Sequence, residues 1–307
     1  MIKKVLFVFI FFFLFTVNVN AKEKKKYLAL GDSITYGYGL DDVDNEAFPV
    51  LFSKKHKLEL TKEAVSGDKT TDLLDKLNNY NINDYDVITL CIGANDVLKE
   101  FLNDIEGMDN AEIVNYVVNI ESNEDFQNRI NANIEQFKTN LEKIMNIIKK
   151  GHAQIYLMNI YNPYKGFFLE SLDVQSNKIV KRINEVIDGY KKDAHFIDLY
   201  KKFDSSKKNL INSQSTRKEY AMDPHPSPEG HKYISELLSN EYELHNIDEP
   251  YLILTIILGT LVILFELLDV MYTFKRFNIK SPNNVDIKPK LDDTKEEENK
   301  SSRFIRS

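Results

Sequence analysis

Short apolar runs of β type alternate along the chain with longer stretches in which apolar residues recur every three or four positions. Tyr27-Leu28-Ala29-Leu30, Val87 to Ile92, Gln154 to Met158 and His195 to Leu199 read as buried strands, and Leu58 to Val65 is a weaker fifth. Phe126, Ile130, Ile134, Phe137, Leu141, Ile144 and Ile148 predict a long amphipathic helix, with Ser122-x-x-Asp125 as its N-terminal cap signal. Ile179, Ile183, Val186, Ile187 and Tyr190 predict another, and Ser227-Pro228 opens a last one with Ile234, Leu237 and Leu238 on one face. No internal repeat is evident. Alternation of this kind predicts an α/β unit with right-handed crossovers and a mainly parallel sheet covered on both faces, whose ligand lies beyond the carboxyl ends of the strands.

The two ends of the chain are different. Lys3 and Lys4, the apolar run Val5 to Phe15, and Val19-Asn20-Ala21 before a lysine cluster have the three regions of a secretory signal; an uncleaved N-terminal anchor is the alternative. Near the other end Tyr251 to Tyr272 is 22 mostly apolar residues, about 33 Å of helix at 1.5 Å per residue, which is one membrane span. Lys275 and Arg276 follow it, whereas Glu241, Glu243, Asp248 and Glu249 precede it, so the positive-inside rule puts the tail in the cytoplasm and the main domain outside. Glu266 and Asp269 fall in the last turns of this span, near the headgroups and Lys275; a functional intramembrane acid pair is the alternative. The tail, with Pro282, Asn283, Asn284 and Glu296-Glu297-Glu298, reads as disordered.

Composition narrows the picture. With 43% hydrophobic and 28% charged residues in 307, the chain is neither disordered overall nor of low complexity. Its net charge of −7, with both signs interspersed, excludes a broad basic face for nucleic acid. The single cysteine, Cys91, cannot form an internal disulfide and sits in an apolar run as a small buried hydrophobe.

The polar residues that follow the strands carry the candidate chemistry. Gly31-Asp32-Ser33-Ile34-Thr35 comes after the first strand, and a serine at a strand-to-helix turn presents its hydroxyl with its own N–H beside it. Ser66-Gly67-Asp68 follows the second, where glycine lets the backbone approach a substrate. Gly93-Ala94-Asn95-Asp96 follows the third and offers the Asn95 amide as a donor. A hydroxyl needs a neutral imidazole to take its proton, and Asp223-Pro224-His225-Pro226, just before the last helix, is the candidate: Asp223 stands close enough in sequence to orient the ring. His56, His152, His195, His231 and His245 lack that setting, and His231 falls inside the last helix, where packing explains it. Singly these motifs are turns and caps; their order along the chain is what points to catalysis.

At these residues the sequence resembles the GDSL esterases and lipases, or SGNH hydrolases, from about Tyr27 to Leu238: Ala29 to Gly37 (Ala-Leu-Gly-Asp-Ser-Ile-Thr-Tyr-Gly), Val65-Ser66-Gly67, Ile92 to Asp96, and His225-Pro226-Ser227. The resemblance implies a flavodoxin-like three-layer α/β/α sandwich with a five-stranded parallel sheet. It implies Ser33 as nucleophile, His225 as base, an oxyanion hole of the Ser33 and Gly67 amides with Asn95, and hydrolysis without metal or cofactor. The family usually places its aspartate three residues before the histidine, whereas Asp223 stands two before His225; a Ser33–His225 dyad is therefore the alternative to a triad. The Gly-x-Ser-x-Gly pattern of α/β-hydrolases is absent, since position 35 is Thr.

The expected organisation is a signal peptide over 1–21, a hydrolase domain over 22–245, a linker and transmembrane helix over 246–274, and a cytoplasmic tail over 275–307. The expected activity is that of a membrane-tethered, extracytoplasmic serine ester hydrolase acting through an acyl-enzyme. A linker from Ser239 to Glu249 would span at most about 35 Å, keeping lipid acyl esters and O-acetylated surface glycans both in reach as small-molecule or polymer substrates. Tyr161, Tyr164, Phe167 and Phe168 are candidates for an apolar groove that takes acyl chains or stacks on sugars. An acyltransferase using the same intermediate and a non-catalytic surface module on the same fold are the rival readings.

Overall fold

The structure is a computed structural model that describes residues 23–214, 222–246 and 249–278. The predicted signal peptide and most of the predicted tail lie outside the described residues. In chain order the elements are β1 (Lys26–Gly31), α1 (Ser33–Tyr36), α2 (Val43–Glu46), α3 (Phe48–His56), β2 (Glu59–Ala64), α4 (Thr70–Leu77), β3 (Val87–Cys91), α5 (Ala94–Ile105), α6 (Asn110–Asn119), α7 (Glu124–Ile148), β4 (Gln154–Met158), α8 (Glu170–Asp188), β5 (His195–Ile197), α9 (Leu199–Ser205), α10 (Pro228–His245) and α11 (Glu249–Asn278). The chain divides into two compact units, 1–246 and 247–307.

Within the first unit all five strands pair in parallel in the order β2-β1-β3-β4-β5. β1 therefore lies between β2 and β3, and the order in which strands are added to the sheet reverses at this point, which opens a crevice at the carboxyl ends. The period-2 alternation of the strands divides the core. Leu28, Leu30, Ile88 and Leu90 pack with Leu73, Phe126, Phe137, Ile144 and Ile183 of α4, α7 and α8 on one face. Tyr27, Ala29, Val87 and Cys91 pack with Phe48, Phe52, Ile234 and Leu238 of α3 and α10 on the other. The result is the three-layer α/β/α sandwich. Removing each large side chain from water contributes about 1.5–3 kcal/mol, and β1, buried from Tyr27 to Gly31, is the spine of both layers.

Several boundaries differ from the sequence expectation, each for a local reason. The cap of α7 is Asn123, whose side chain accepts from the Phe126 N–H at 3.0 Å. Ser122 lies one residue earlier in a 3-10 turn, and its hydroxyl donates to the Asn119 carbonyl. β5 ends at Ile197 because Asp198 caps α9, accepting from the Lys201 N–H. Residues 239–245 belong to α10, so they are helix and not an extended linker. In the first unit the sequence pattern predicts α7, α8 and α10; α1 to α4 and α9 are additional, and so are α5 and α6. The last of these, α6, has a capping box, in which the Asp109 side chain accepts from the Glu112 N–H and the Glu112 side chain from the Asp109 N–H.

The second unit is α11. Its segment Leu254–Lys275 is the one helix among the described residues long and apolar enough to cross a membrane, by length and composition.

Candidate active site

Three loops at the carboxyl end of the sheet deliver the predicted residues. The β1–α1 turn is short because Gly31 lies against β3: a Cβ there would sit 2.5 Å from the Cys91 carbonyl oxygen. Asp32 caps α1, its Oδ1 accepting from the Ile34 N–H at 3.0 Å, and Ser33 follows at the first helical position, where backbone N–H groups have no intrahelical acceptor. The β2–α4 loop carries Gly67 at φ +86°, a left-handed conformation that glycine adopts without steric cost. The β3–α5 loop carries Asn95, whose Nδ2 donates to the Asp68 carbonyl at 3.0 Å. That bond uses one amide hydrogen and fixes the plane of the other.

Asp96, which the sequence reading left without a role, ties the last two loops together. Its carboxylate accepts from the Thr70 N–H (3.1 Å) and the Thr70 hydroxyl (2.6 Å). Burial raises its carboxyl above the ordinary range, with the Thr70 hydrogen bonds opposing that shift.

The imidazole arrives from elsewhere. His225 Nε2 stands 2.9 Å from Ser33 Oγ, although the two are 192 residues apart. On the other side of the ring, Nδ1 is 2.6 Å from Asp223 Oδ1. The short spacing is accommodated by a tight turn, in which the same Oδ1 also accepts from the His225 backbone N–H at 3.0 Å. Oδ2 accepts from Asn212 Nδ2 at 2.8 Å. Burial pushes the Asp223 carboxyl up, but the hydrogen bonds from the His225 ring, the His225 N–H and Asn212 outweigh it and hold the group below its ordinary value. It is thus an anion beside Nδ1. That favours the tautomer with the proton on Nδ1 and a lone pair on Nε2 facing the hydroxyl. Such a relay can draw the Ser33 proton onto His225 as the oxygen attacks.

The loop that carries this pair is held by long-range bonds. The Tyr161 hydroxyl donates to the Pro224 carbonyl (2.8 Å) and the Tyr164 hydroxyl to the Met222 carbonyl (3.2 Å). The N–H groups of Asn212 and Ser213 donate to the carbonyls of His225 (2.9 Å) and Asp223 (2.8 Å). The Tyr38 ring lies 4.6 Å from the His225 ring, centroid to centroid. The other histidines stay apart. His231 is buried on the α3 side with Nδ1 facing the Phe48 N–H at 3.4 Å, and burial, aided by His225 and Lys62, lowers it to about 3, so its ring is neutral.

The sequence matches the GDSL-like Lipase/Acylhydrolase family over residues 29–233. The chain belongs to this family. It is accordingly a GDSL-type lipase or esterase, a serine hydrolase of carboxylic esters. Among solved structures, the GDSL hydrolase domain is similar to an extracellular lipase from Streptomyces rimosus (20% identity, 71% of this chain and 99% of that one, TM-score 0.55). It is also similar to phospholipase A1 from Streptomyces albidoflavus NA297 (17% identity, 71% and 99%, TM-score 0.53). At these identities the likeness is one of fold. Among curated proteins no match was found.

Ser33, Gly67, Asn95 and His225 of this GDSL hydrolase all border one cavity of about 360 Å³. Its floor is apolar: Val97, Leu98 and Phe101 from α5, Val117 from α6, and Val180 and Ile183 from α8. Tyr161 and Tyr164 line it as well, but Phe167 and Phe168, which the sequence grouped with them, do not. Phe168 is 85% exposed and Phe167 packs partly buried at the edge of the core. The apolar wall thus comes mainly from α5, α6 and α8. The alternation of Val97, Leu98 and Phe101 at helical spacing was the signal that could have located it.

Asp32 is the other buried acid here. It is wholly inaccessible, and its Oδ2 has no hydrogen-bond partner among the described residues. Burial pushes its carboxyl up to about 7, the Ile34 N–H and the nearby His225 acting in the opposite sense.

Proposed function

We propose that the chain is a membrane-tethered, extracytoplasmic ester hydrolase that cleaves acyl esters through an acyl-enzyme on Ser33. Ser33 Oγ attacks the ester carbonyl while His225 Nε2 takes its proton, and the Asp223 anion orients and stabilises the imidazolium that forms. The oxyanion is held by the Ser33 and Gly67 N–H groups and the Asn95 amide. As the tetrahedral intermediate collapses, the bond to the leaving alcohol breaks and His225 returns the proton to that alcohol. Water, deprotonated by the same imidazole, then releases the acid and frees Ser33.

The observation that carries this reading is the 2.9 Å approach of His225 Nε2 to Ser33 Oγ at the border of an apolar cavity. A volume of about 360 Å³ lined by Val97, Phe101, Val117 and Ile183 supports an acyl chain as occupant over an acetyl group. O-acetylated glycans are the competing substrates. The tether is α11: its side chains Ile256, Val262 and Leu268 are exposed, so packing in a protein core does not account for its composition. Lys275 and Arg276 near its C-terminal end, with the signal expected over 1–21, support a domain of 22–245 outside the membrane, a linker and span over 246–274 and a cytoplasmic tail over 275–307.

The test uses the full chain purified in detergent, with Ser33→Ala as control. Each buried methylene adds about 0.8 kcal/mol, or roughly fourfold, so kcat/KM should climb steadily from acetyl to longer acyl esters and lysophospholipid. A fluorophosphonate should label the wild type and not Ser33→Ala. Undiminished turnover by Ser33→Ala would overturn the mechanism, and a preference for acetyl over longer esters would turn the substrate assignment to acetylated glycans.

A further inference from the structure

The residues of ester hydrolysis occupy the carboxyl end of the sheet. At the opposite end, where β5 begins and α10 finishes, stand three side chains that this chemistry does not use. Glu241 and His245 are four residues apart on α10 and so share one face of it. His195 is the first residue of β5, against which α10 packs. One ligand atom from each of the three lies within 4.8 Å of the other two. The imidazole rings of His195 and His245 are 3.9 Å apart, centroid to centroid.

We propose that His195, Glu241 and His245 form a binding site for a divalent transition cation of the zinc class, separate from the ester-hydrolysing centre. Two imidazoles and one carboxylate suit zinc and its neighbours, whereas calcium and magnesium call for a set of oxygen ligands. Tetrahedral bonds of 2.0–2.2 Å put neighbouring ligand atoms about 3.3 Å apart. Closing from 4.8 Å therefore takes movements of about 1 Å, within the reach of half-buried and exposed side chains.

One further feature prepares the His245 imidazole. His245 Nδ1 lies 2.9 Å from the Glu241 backbone carbonyl and 3.7 Å from Glu241 Oε1. Donation to that carbonyl fixes the proton on Nδ1 and leaves Nε2 with its lone pair, the outer-sphere bond that orients most metal-binding histidines. The surroundings are firm: the His195 ring lies 4.9 Å from that of Tyr156, and Asn246 Nδ2 donates to Gln154 Oε1 (2.8 Å) and to the Tyr242 carbonyl (2.9 Å).

Three protein ligands leave one tetrahedral position for water or another donor. A cation held here clamps the last turn of α10 to the start of β5, four residues before the apolar helix begins at Glu249. It is a brace on the exit of the hydrolase domain.

The experiment is zinc titration by calorimetry of the full chain in detergent after stripping with EDTA, with cobalt as an absorbing substitute. The wild type should bind one equivalent, show the d–d bands of a low-symmetry site and melt at a higher temperature with zinc. His245→Ala and Glu241→Gln, both at positions with solvent access, should each weaken binding about tenfold or more while hydrolysing a short ester at the wild-type rate, which verifies their fold. No binding by the wild type, or binding that both substitutions leave unchanged, would overturn the site.

Discussion

The loops after β1 and β3 and the loop that bears His225 meet in one cavity but are built by different means. Ser33 and Asn95 follow their strands by two and four residues, counted from Gly31 and Cys91. Ser33 is placed by its strand and by the Asp32–Ile34 bond of the same turn, and Asn95 by its strand and by a bond to Asp68 in the adjacent loop. The Asp223–His225 turn has no strand beneath it. It hangs on hydroxyls of Tyr161 and Tyr164 some sixty residues away in sequence, and on the N–H groups of Asn212 and Ser213. One wall of the site is thus built on strand ends, and the other on side-chain and backbone bonds from distant parts of the domain.

This contrast can be broken at its strongest point first. Asp223→Asn leaves the turn's shape available but removes the anion at Nδ1, so kcat should fall by on the order of 10⁴-fold with KM little changed; stopped or steady-state kinetics on an acyl ester measure it. A loss under tenfold would show that Ser33 and His225 act as a dyad. On the wall built on strand ends, Asn95→Ala removes one donor from an intact frame and should cost on the order of 10²- to 10³-fold in kcat.

The double change Tyr161→Phe with Tyr164→Phe sharpens the comparison, since it deletes two supports of the His225 loop and nothing that faces Ser33. Each lost hydrogen bond should remove about 0.5–1.5 kcal/mol of stability. Activity should fall further than the small decrease in Tm explains, because the loop loses its register; equal, proportionate losses would show that the loop needs no such support.

The smallest effect concerns pH. Burial raises the Asp32 carboxyl to about 7, so the folded protein keeps a proton that the unfolded chain surrenders near pH 4. The stabilisation is therefore complete below about pH 4 and is lost as pH rises through 7. Asp32→Asn stays neutral throughout, so its Tm relative to wild type should rise between pH 4 and pH 7 and level off above. A difference that is constant with pH would refute that account.

Much of this was legible in the sequence. Apolar runs located the central strands, because a strand buried on both faces needs an unbroken apolar segment, as in Tyr27-Leu28-Ala29-Leu30; β2, a half-exposed edge strand with Glu59, Lys62 and Glu63, left only a weak one. The candidate site residues were legible for a related reason: Gly67 takes a left-handed backbone, and Ser33 and Asn95 lie in the first turns of helices that directly follow strands, so all three stand beside the apolar runs. α5 carries a clear apolar face, with Val97, Leu98 and Phe101 at helical spacing, but that pattern does not say that the face lines a cavity as well as packing on the core. The aromatic pair Phe167-Phe168 misled, since apolar composition does not say which way a loop turns.

The chain by itself determined the strand set, the long core helix, the apolar segment near the C-terminus and the identity of the polar groups at the turns, all of which depend on residues close in sequence. Only the tertiary structure decided that Asp223 reaches His225 despite its short spacing, that α5, α6 and α8 line the cavity, and that His195 meets Glu241 and His245. The first is a tight turn between residues two apart, whose shape the spacing alone leaves open; the other two rest on contacts between distant segments, whose geometry follows from how the layers pack.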